Sequence, residues 1–266
     1  MRKITILLKI ALIFVLLVAN AQVSRSEEIV DSLLTRQINT IQKVANWLIA
    51  YDHVAWASSD MLRSATAEEQ SRMGREWFCY ADSNRAWHAV YGKYEEGSYQ
   101  VAVHYVSNII TGRLEKTTTS PDLALTLGLA HAINSAYKQL EADSANKRIQ
   151  YNHYAKQDED GKYLVWIFSG AQRDGTLTYG KEYHYRFDTD CSTLLTKNVI
   201  NKPLMGAAPN PKLPLTMDYS DLEAPTLGAV FFASNFSKLF SDVYIKTKYH
   251  LHTLRDGVWK SVRTAE

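Results

Sequence analysis

The chain has 266 residues, of which 46% are hydrophobic, and carries 30 Lys and Arg against 28 Asp and Glu. This length is enough to bury a large core without disulfides. The net charge is close to zero and lacks the excess of Lys and Arg that is typical of a nucleic-acid-binding protein, so we expect no nucleic-acid partner. There is no internal sequence repeat and no low-complexity tract.

Residues 1–21 have the order of a secretory signal peptide. Arg2, Lys3 and Lys9 precede and interrupt an apolar run at residues 10–18, and Ala19-Asn20-Ala21 is an A-x-A cleavage site. The alternative is an uncleaved anchor, but the run is shorter than the ~20 residues that cross a bilayer. Cleavage removes three of the 30 cations and no anion, which leaves a net charge of about −1. We expect a secreted or periplasmic protein without a membrane span after cleavage, and one domain over residues 22–266.

The first half of the mature chain reads as a helix followed by an antiparallel meander. Ser24 and Glu27 have capping-box spacing, and apolar residues recur every three or four positions from Ile29 to Ile49. The next residues, 52–60, are predicted to be a short strand or an irregular crossing. After a surface helical turn come three aromatic strands separated by turns and one short polar strand. These predicted elements lie at residues 65–73, 76–82, 86–94, 98–107 and 113–119.

A second helix and a second meander follow. Ser120 is a predicted N-cap, Pro121 fits the first helical position, and the helix should end near Asp143. Residues 149–188 then contain three β-branched and aromatic runs joined by two Asp-Gly turns, which is typical of an antiparallel meander. Both faces of the middle run, 163–168, are apolar, so it should be a central strand.

The last part of the chain contains a proline-rich segment, a buried helix and a hairpin. Five Pro and Gly residues at 202–216 predict an exposed connection without regular structure, which is a candidate functional loop. Residues 226–240 are apolar on nearly every side, as in a buried helix. Residues 243–263 form a hairpin around Asp256-Gly257. Together the pattern predicts an α+β fold: a largely antiparallel sheet of two meanders plus a C-terminal hairpin, with about three packing helices.

Cys79 and Cys191 are the only cysteines. An even count in an exported chain predicts one disulfide between them. The alternatives are two buried free thiols or a nucleophilic cysteine, and nothing in either neighbourhood marks a low thiol pKa.

Histidines are the one candidate metal site. His250 and His252 are two residues apart on a predicted strand, so they point to the same face, and His184 or His153 could supply a third ligand. The favoured interpretation is a polar sheet face with hydrogen-bonded rings, and we expect neither a metal nor a cofactor. 

No complete catalytic motif occurs: there is no G-x-S-x-G elbow, no CxxC pair and no phosphate-binding glycine loop. Two function classes remain, and the sequence identifies no catalytic residue. The favoured one is a non-catalytic protein of the envelope or secreted space that binds an unidentified ligand or protein partner through aromatic residues and the proline-rich loop. The alternative is a secreted hydrolase or metal-assisted enzyme with a dispersed histidine site.

The signal peptide yields the first testable prediction. Protein purified from its own host should have the intact mass of a chain that begins at Gln22, because cleavage follows Ala21. Mass spectrometry of the soluble envelope or medium fraction measures this directly. A mass that still includes Met1 would contradict export by cleavage.

Overall fold

The computed structural model describes residues 36–143, 149–170 and 175–264. The predicted signal peptide and the predicted start of the first helix lie outside these ranges. The helices are α1 (36–61), α2 (Ala67–Ser71), α3 (Leu123–Asp143) and α4 (Leu227–Phe236), with single 3-10 turns at Leu62–Ser64 and Ser237–Leu239. The strands are β1 (Phe78–Ala81), β2 (Trp87–Glu95), β3 (Ser98–Ser107), β4 (Leu114–Lys116), β5 (Tyr151–Gln157), β6 (Tyr163–Ser169), β7 (Leu177–Phe187), β8 (Leu194–Ala207), β9 (Leu215–Tyr219), β10 (Val243–Thr247), β11 (His250–Arg255) and β12 (Val258–Arg263).

The twelve described strands form three four-stranded sheets, and the fold is α+β. Sheet A has the order β1-β2-β3-β4, sheet B has the order β5-β6-β7-β8, and sheet C has the order β12-β11-β10-β9. Every pairing is antiparallel except β9 with β10, which are parallel and joined through α4. The two predicted meanders and the central position of β6 are confirmed. The strands divide among three sheets rather than the predicted one. The predicted C-terminal hairpin is a four-stranded sheet: the chain turns between β10 and β11, so its first strand is two strands, and β9 pairs with β10.

Sheets A and B share a core between two helices. On one side α3 contacts both sheets, through β2 and β3 of sheet A and β5 and β6 of sheet B. On the other side the Tyr51 ring of α1 lies 6.4 Å from Trp87 of sheet A and 5.3 Å from Tyr154 of sheet B, measured between centroids. Strand β1 also contacts β5. The helices therefore hold the two sheets side by side.

Helix α1 extends further toward the C-terminus than its predicted counterpart. Residues 52–60, predicted to be a strand or an irregular crossing, continue the helix to residue 61. The buried positions Leu48, Tyr51, Ala55 and Ser58 follow the three- and four-residue spacing of one helical face. Polar Asp52 and His53 interrupt the apolar pattern in the sequence, which is why the extension was missed.

The start of α3 also differs from the prediction. The side-chain Oδ1 of Asp122 accepts a hydrogen bond from the backbone N–H of Leu125 at 3.1 Å, and its carbonyl accepts one from Thr126 at 2.9 Å. Asp122 is therefore the N-cap, and Ser120 and Pro121 precede the helix. The shift matters because it places Ser120 and Pro121 in a loop beside sheet A.

The proline-rich segment is largely exposed, as predicted, but much of it is regular. Strand β8 continues through Pro203 to Ala207, and β9 begins at Leu215. A proline is tolerated there because β8 is the edge strand of sheet B. The partner strand has an irregularity between Tyr179 and Lys181, where Gly180 adopts φ +114° opposite Pro203. The irregular connection is therefore only residues 208–214.

The predicted disulfide is absent: Cys79 and Cys191 are both free and buried. Cys79 lies in β1 beside Asp52 of α1, whereas Cys191 lies in the turn after β7, where its thiol contacts the carbonyl of Gly128 on α3 at 3.5 Å. The two sulfurs therefore face different helices. Burial raises the pKa of both thiols, that of Cys191 to about 12, which makes neither a reactive thiolate.

A buried carboxylate attaches α4 to sheet B. Glu182 of β7 accepts hydrogen bonds from the hydroxyl of Thr226 and, at 2.9 Å, from the backbone N–H of Gly228. Thr226 is the N-cap of α4, so the negative charge lies at the positive end of the helix. The approach is close enough that a Cβ on Gly228 would be 2.5 Å from Glu182 Cδ.

This contact predicts the effect of a single methyl group. Gly228→Ala should lower the free energy of unfolding by about 1–3 kcal/mol, because the added Cβ overlaps a buried carboxylate. Urea denaturation measures the change. The control is a double-mutant cycle with Glu182→Ala. Removing the carboxylate removes the overlap, so the stability lost by the double variant should be smaller than the sum of the losses of the two single variants. Strict additivity would contradict this explanation.

Candidate functional site

The structure brings two of the predicted histidines together. His250 and His252 are buried on one face of β11, with ring centroids 5.8 Å apart. The hydroxyl of Thr247 donates to the His250 carbonyl at 3.2 Å, so it accepts from His252 Nε2–H at 3.1 Å. His252 Nδ1 then accepts from the hydroxyl of Ser261 at 2.8 Å. The His252 lone pair is thus occupied by a hydroxyl proton and does not face a metal position.

The other two histidines do not join this pair. His153 and His184 lie on opposite faces of sheet B. His153 pairs with Ile167 of β6, whereas His184 pairs with the adjacent residue, Trp166. Adjacent residues of a strand point to opposite faces of the sheet. His153 contacts the carbonyl of Trp77, and His184 lies 3.2 Å from Glu182. Within the described residues no group of three His, Cys, Asp or Glu side chains is arranged to hold a metal ion.

Most aromatic side chains are core residues, which corrects the hypothesis of an aromatic contact surface. The largest fully buried side chains include six tyrosines, and Trp56 is the one aromatic among the large hydrophobic residues that are exposed in the described ranges. Both meanders face helices, so their aromatic rings pack between sheet and helix. An aromatic sheet face open to a partner is therefore not present there.

A cavity with a volume of about 620 Å³ lies at one end of sheet A. Its walls come from the end of β1, the facing positions of β2 and β3, and the segment that leads into α3. We refer to it as the His88 cavity. It is lined by Tyr80, Ala81, Asp82, Ser83, His88, His104, Val106, Thr117, Thr119, Ser120, Pro121, Asp122 and Leu125.

Two imidazoles form the floor of the His88 cavity. His88 Nδ1 and His104 Nε2 are 2.9 Å apart, and the two rings are nearly parallel. His104 Nδ1 lies 2.8 Å from the carbonyl oxygen of Thr119, and His88 Nε2 lies 3.4 Å from Asp82 Oδ2. The Tyr80 ring stacks on His88 with centroids 4.6 Å apart. The chain Asp82, His88, His104, Thr119 therefore links the β1–β2 turn to the segment before α3.

The direction of each hydrogen bond follows from the carbonyl at the end of the chain. A carbonyl only accepts, so the proton of His104 is on Nδ1. Burial lowers the pKa of His104, which keeps the ring neutral and leaves Nε2 as an acceptor. His88 must then donate from Nδ1, while its Nε2 faces Asp82 Oδ2. The contacts thus describe a neutral His104 that accepts from His88 Nδ1–H, with the Asp82 carboxyl group on the other side of the His88 ring.

The sequence contained only a weak signal for this cavity. His88 and His104 each lie in an aromatic strand, and the sequence alone neither pairs them nor marks them as site residues. Val90 is the residue opposite His104, so the two histidines are diagonal neighbours on one face of sheet A. Alternation along each strand cannot place the two histidines on the same face until the register between β2 and β3 is known.

A smaller cavity of about 300 Å³ lies where β7 and β8 approach β9. Its charged groups are largely engaged with one another: Lys202 contacts Asp221 at 2.5 Å and lies 5.5 Å from the centre of the Tyr219 ring. It therefore offers fewer available polar groups than the His88 cavity.

Comparison with known proteins adds no assignment: no family model, no curated protein and no solved structure matches the chain. The functional argument therefore depends on the geometry of the site.

The buried histidines predict how stability depends on pH. Burial lowers the pKa values of His153 and His252 to about 4, below the ~6.5 of an exposed histidine. Between pH 6.5 and 4 the unfolded chain binds protons that the folded chain does not, so the free energy of unfolding should fall as the pH falls through this window. The contribution of His252 between pH 7 and 5 is on the order of 1–2 kcal/mol.

His252→Gln tests this contribution. The variant should be less stable at pH 7, but it should lose less stability between pH 7 and 5 than the wild type, as measured by urea denaturation at both values. His53→Gln, on the exposed side of α1, is the control and should keep the wild-type pH dependence. Equal pH dependence in all three proteins would show that His252 does not titrate as argued.

Proposed function

We propose that this protein is an exported, non-catalytic binding protein that takes a small ligand with hydroxyl or amino groups in the His88 cavity. Export rests on the signal pattern of residues 1–21, and secretion or a periplasmic location is part of the proposal. Among the described residues no helix is both long and apolar enough to cross a membrane. The ligand class follows from the cavity lining.

The charged groups of the lining favour a hydrogen-bond donor over an anion. Two carboxylates, Asp82 and Asp122, line the cavity together with five hydroxyl side chains and the imidazoles, and no Lys or Arg is among the lining residues. A phosphate or carboxylate ligand would meet two carboxyl groups and no Lys or Arg side chain to balance its charge. Hydroxyl and ammonium groups would instead donate to carboxylate and hydroxyl oxygens. Pro121 and Leu125 add apolar surface suited to the C–H face of a ring.

The occupied ring nitrogens are the observation that favours binding over catalysis. A general base needs a nitrogen lone pair within reach of the substrate. In the His88 cavity both nitrogens of His88 and both nitrogens of His104 face protein partners, at 2.8–3.4 Å. The chain of contacts positions the β1–β2 turn against the segment before α3, and this preorganises the walls of the cavity.

Thermal-shift and calorimetric titrations test the ligand class. Glucosamine, glucose and putrescine are the probes, and glucose 6-phosphate is the anionic counterpart. Ligands that bind only the folded state raise its stability by RT ln(1 + [L]/Kd), about 2.7 kcal/mol at a hundredfold excess over Kd. We expect a rise in Tm with at least one amino or hydroxyl compound and a smaller rise with the phosphate.

Two variants connect this binding to the cavity. Asp82→Asn and Asp122→Asn should each weaken binding about tenfold, because a charge-assisted hydrogen bond is lost. Asn is as good an N-cap as Asp, so Asp122→Asn should leave α3 intact. Asp218→Asn in the smaller cavity is the matched control and should bind normally. Tighter binding of the phosphate, or hydrolysis of any probe by the purified protein, would contradict the proposal.

A further inference from the structure

The loop between β3 and β4 presents two isoleucines to solvent at a protruding tip. Ile109 is 67% exposed and Ile110 is 95% exposed. Single exposed apolar residues are common on protein surfaces, but turns normally carry Gly, Asn, Asp, Ser or Pro. Two adjacent β-branched apolar residues at the tip of a turn therefore need an explanation.

Hydrogen bonds hold this loop in one shape. The side chain of Asn108 accepts from the backbone N–H groups of Ile110 at 2.9 Å and Thr111 at 3.0 Å. Its backbone closes the loop by donating to the carbonyl of Arg113 and accepting from Gly112, both at 2.7 Å. Gly112 has φ +68°, a conformation that glycine adopts readily. The isoleucines are thus projected outward by a preorganised backbone.

Two arginines lie at the same end of sheet A. Arg113 belongs to the isoleucine loop, and Arg85 lies in the β1–β2 turn, which shares this end because β1 and β3 both finish there. Both residues are exposed, and in the described part of the chain neither has a carboxylate within ion-pair distance. The carboxylates nearby in sequence are Asp82, which contacts His88, and Glu115 of β4. The opposite end of the sheet, at the β2–β3 turn, carries Glu96 and the ion pair of Glu95 with Lys93 instead.

We propose that this end of sheet A docks on the surface of an anionic lipid bilayer. A convex tip with two isoleucines can enter the boundary between headgroups and acyl chains without a matching groove. Arg85 and Arg113, on neighbouring turns at one end of the sheet, can reach lipid phosphates in the same plane. Glu96 at the far end is directed away from such a surface, so the charge distribution favours this orientation. A protein partner would need a complementary pocket, and no feature of the structure specifies one.

Co-sedimentation with vesicles tests the docking. The processed protein from its own host is mixed with vesicles of phosphatidylcholine alone and of phosphatidylcholine with phosphatidylglycerol. We expect binding to the anionic vesicles to be at least tenfold tighter, and to weaken as salt screens the arginines. A polybasic contact contributes about fivefold in affinity per Arg. Arg85→Gln with Arg113→Gln should therefore weaken binding by about thirtyfold.

Ile109→Ser with Ile110→Ser should weaken binding at least tenfold on the anionic vesicles. The change spares Asn108 and the backbone hydrogen bonds, so the melting temperature should stay near that of the wild type. Val258→Ser with Val262→Ser is the matched control, since these residues of β12 are 59% and 66% exposed. It should bind like the wild type. All variants share one N-terminus, so any contribution from it is common to them.

Three results would overturn the docking proposal: no vesicle binding, equal binding to the two vesicle compositions, or wild-type binding by both the arginine double variant and the isoleucine double variant. Capture of a host protein by the loop without vesicle binding would likewise overturn it in favour of a protein partner. The proposal is independent of the ligand site, because none of the substituted residues lines the His88 cavity.

Discussion

The buried carboxylate of Asp52 is the interaction on which the arrangement of the helices depends. It lies on α1, accepts a hydrogen bond from the hydroxyl of Tyr154 on β5 at 2.8 Å, and accepts another from Asn235 on α4 at 2.9 Å. One side chain therefore joins the first helix, sheet B and the helix that leads to sheet C. Burial raises its pKa, so ionisation is less favourable than in water, and the two donors offset only part of that cost.

The same principle recurs throughout the core, where polar groups are buried with a specific partner. Glu182 anchors α4, Tyr91 contacts Ser58 of α1 at 2.7 Å, and His153 joins Tyr137 of α3 to the backbone before β1. Each of these contacts links two elements that are distant in the sequence. Apolar packing alone would allow the helices to slide along the sheets, whereas these directional contacts define their positions.

Much of the fold could be predicted because its signals are local. The strands of both meanders are bounded by turn residues, and the α4 sequence is apolar on nearly every side, so their existence follows from local patterns. The division into three sheets depends on pairing between distant segments, such as β9 with β10, and no local pattern records that. Pro203 misled the prediction for a related reason: proline excludes a central strand, but β8 is an edge strand, and edge position is a property of the whole sheet.

The candidate sites show the same division between local and distant information. His250 and His252 were placed on one face by simple alternation. The partner of His88 is fixed by the register of β2 and β3, which includes an irregularity between Tyr91 and Gly92, and so by contacts that the sequence does not state. The disulfide prediction was wrong for the same reason, because an even number of cysteines does not indicate which helix each thiol faces.

Sheet A brings both proposed surfaces to one end of the molecule. The β1–β2 turn supplies Asp82 and Ser83 to the His88 cavity and Arg85 to the docking surface, so a single turn of five residues belongs to both. Its conformation depends on Asp82, whose Oδ1 accepts from the backbone N–H groups of Asn84 and Ala86 while its Oδ2 faces His88. A bilayer contact at Arg85 and a ligand at Asp82 would therefore act on the same backbone. The two proposed surfaces thus use different side chains of one turn, and both require the conformation that Asp82 stabilises.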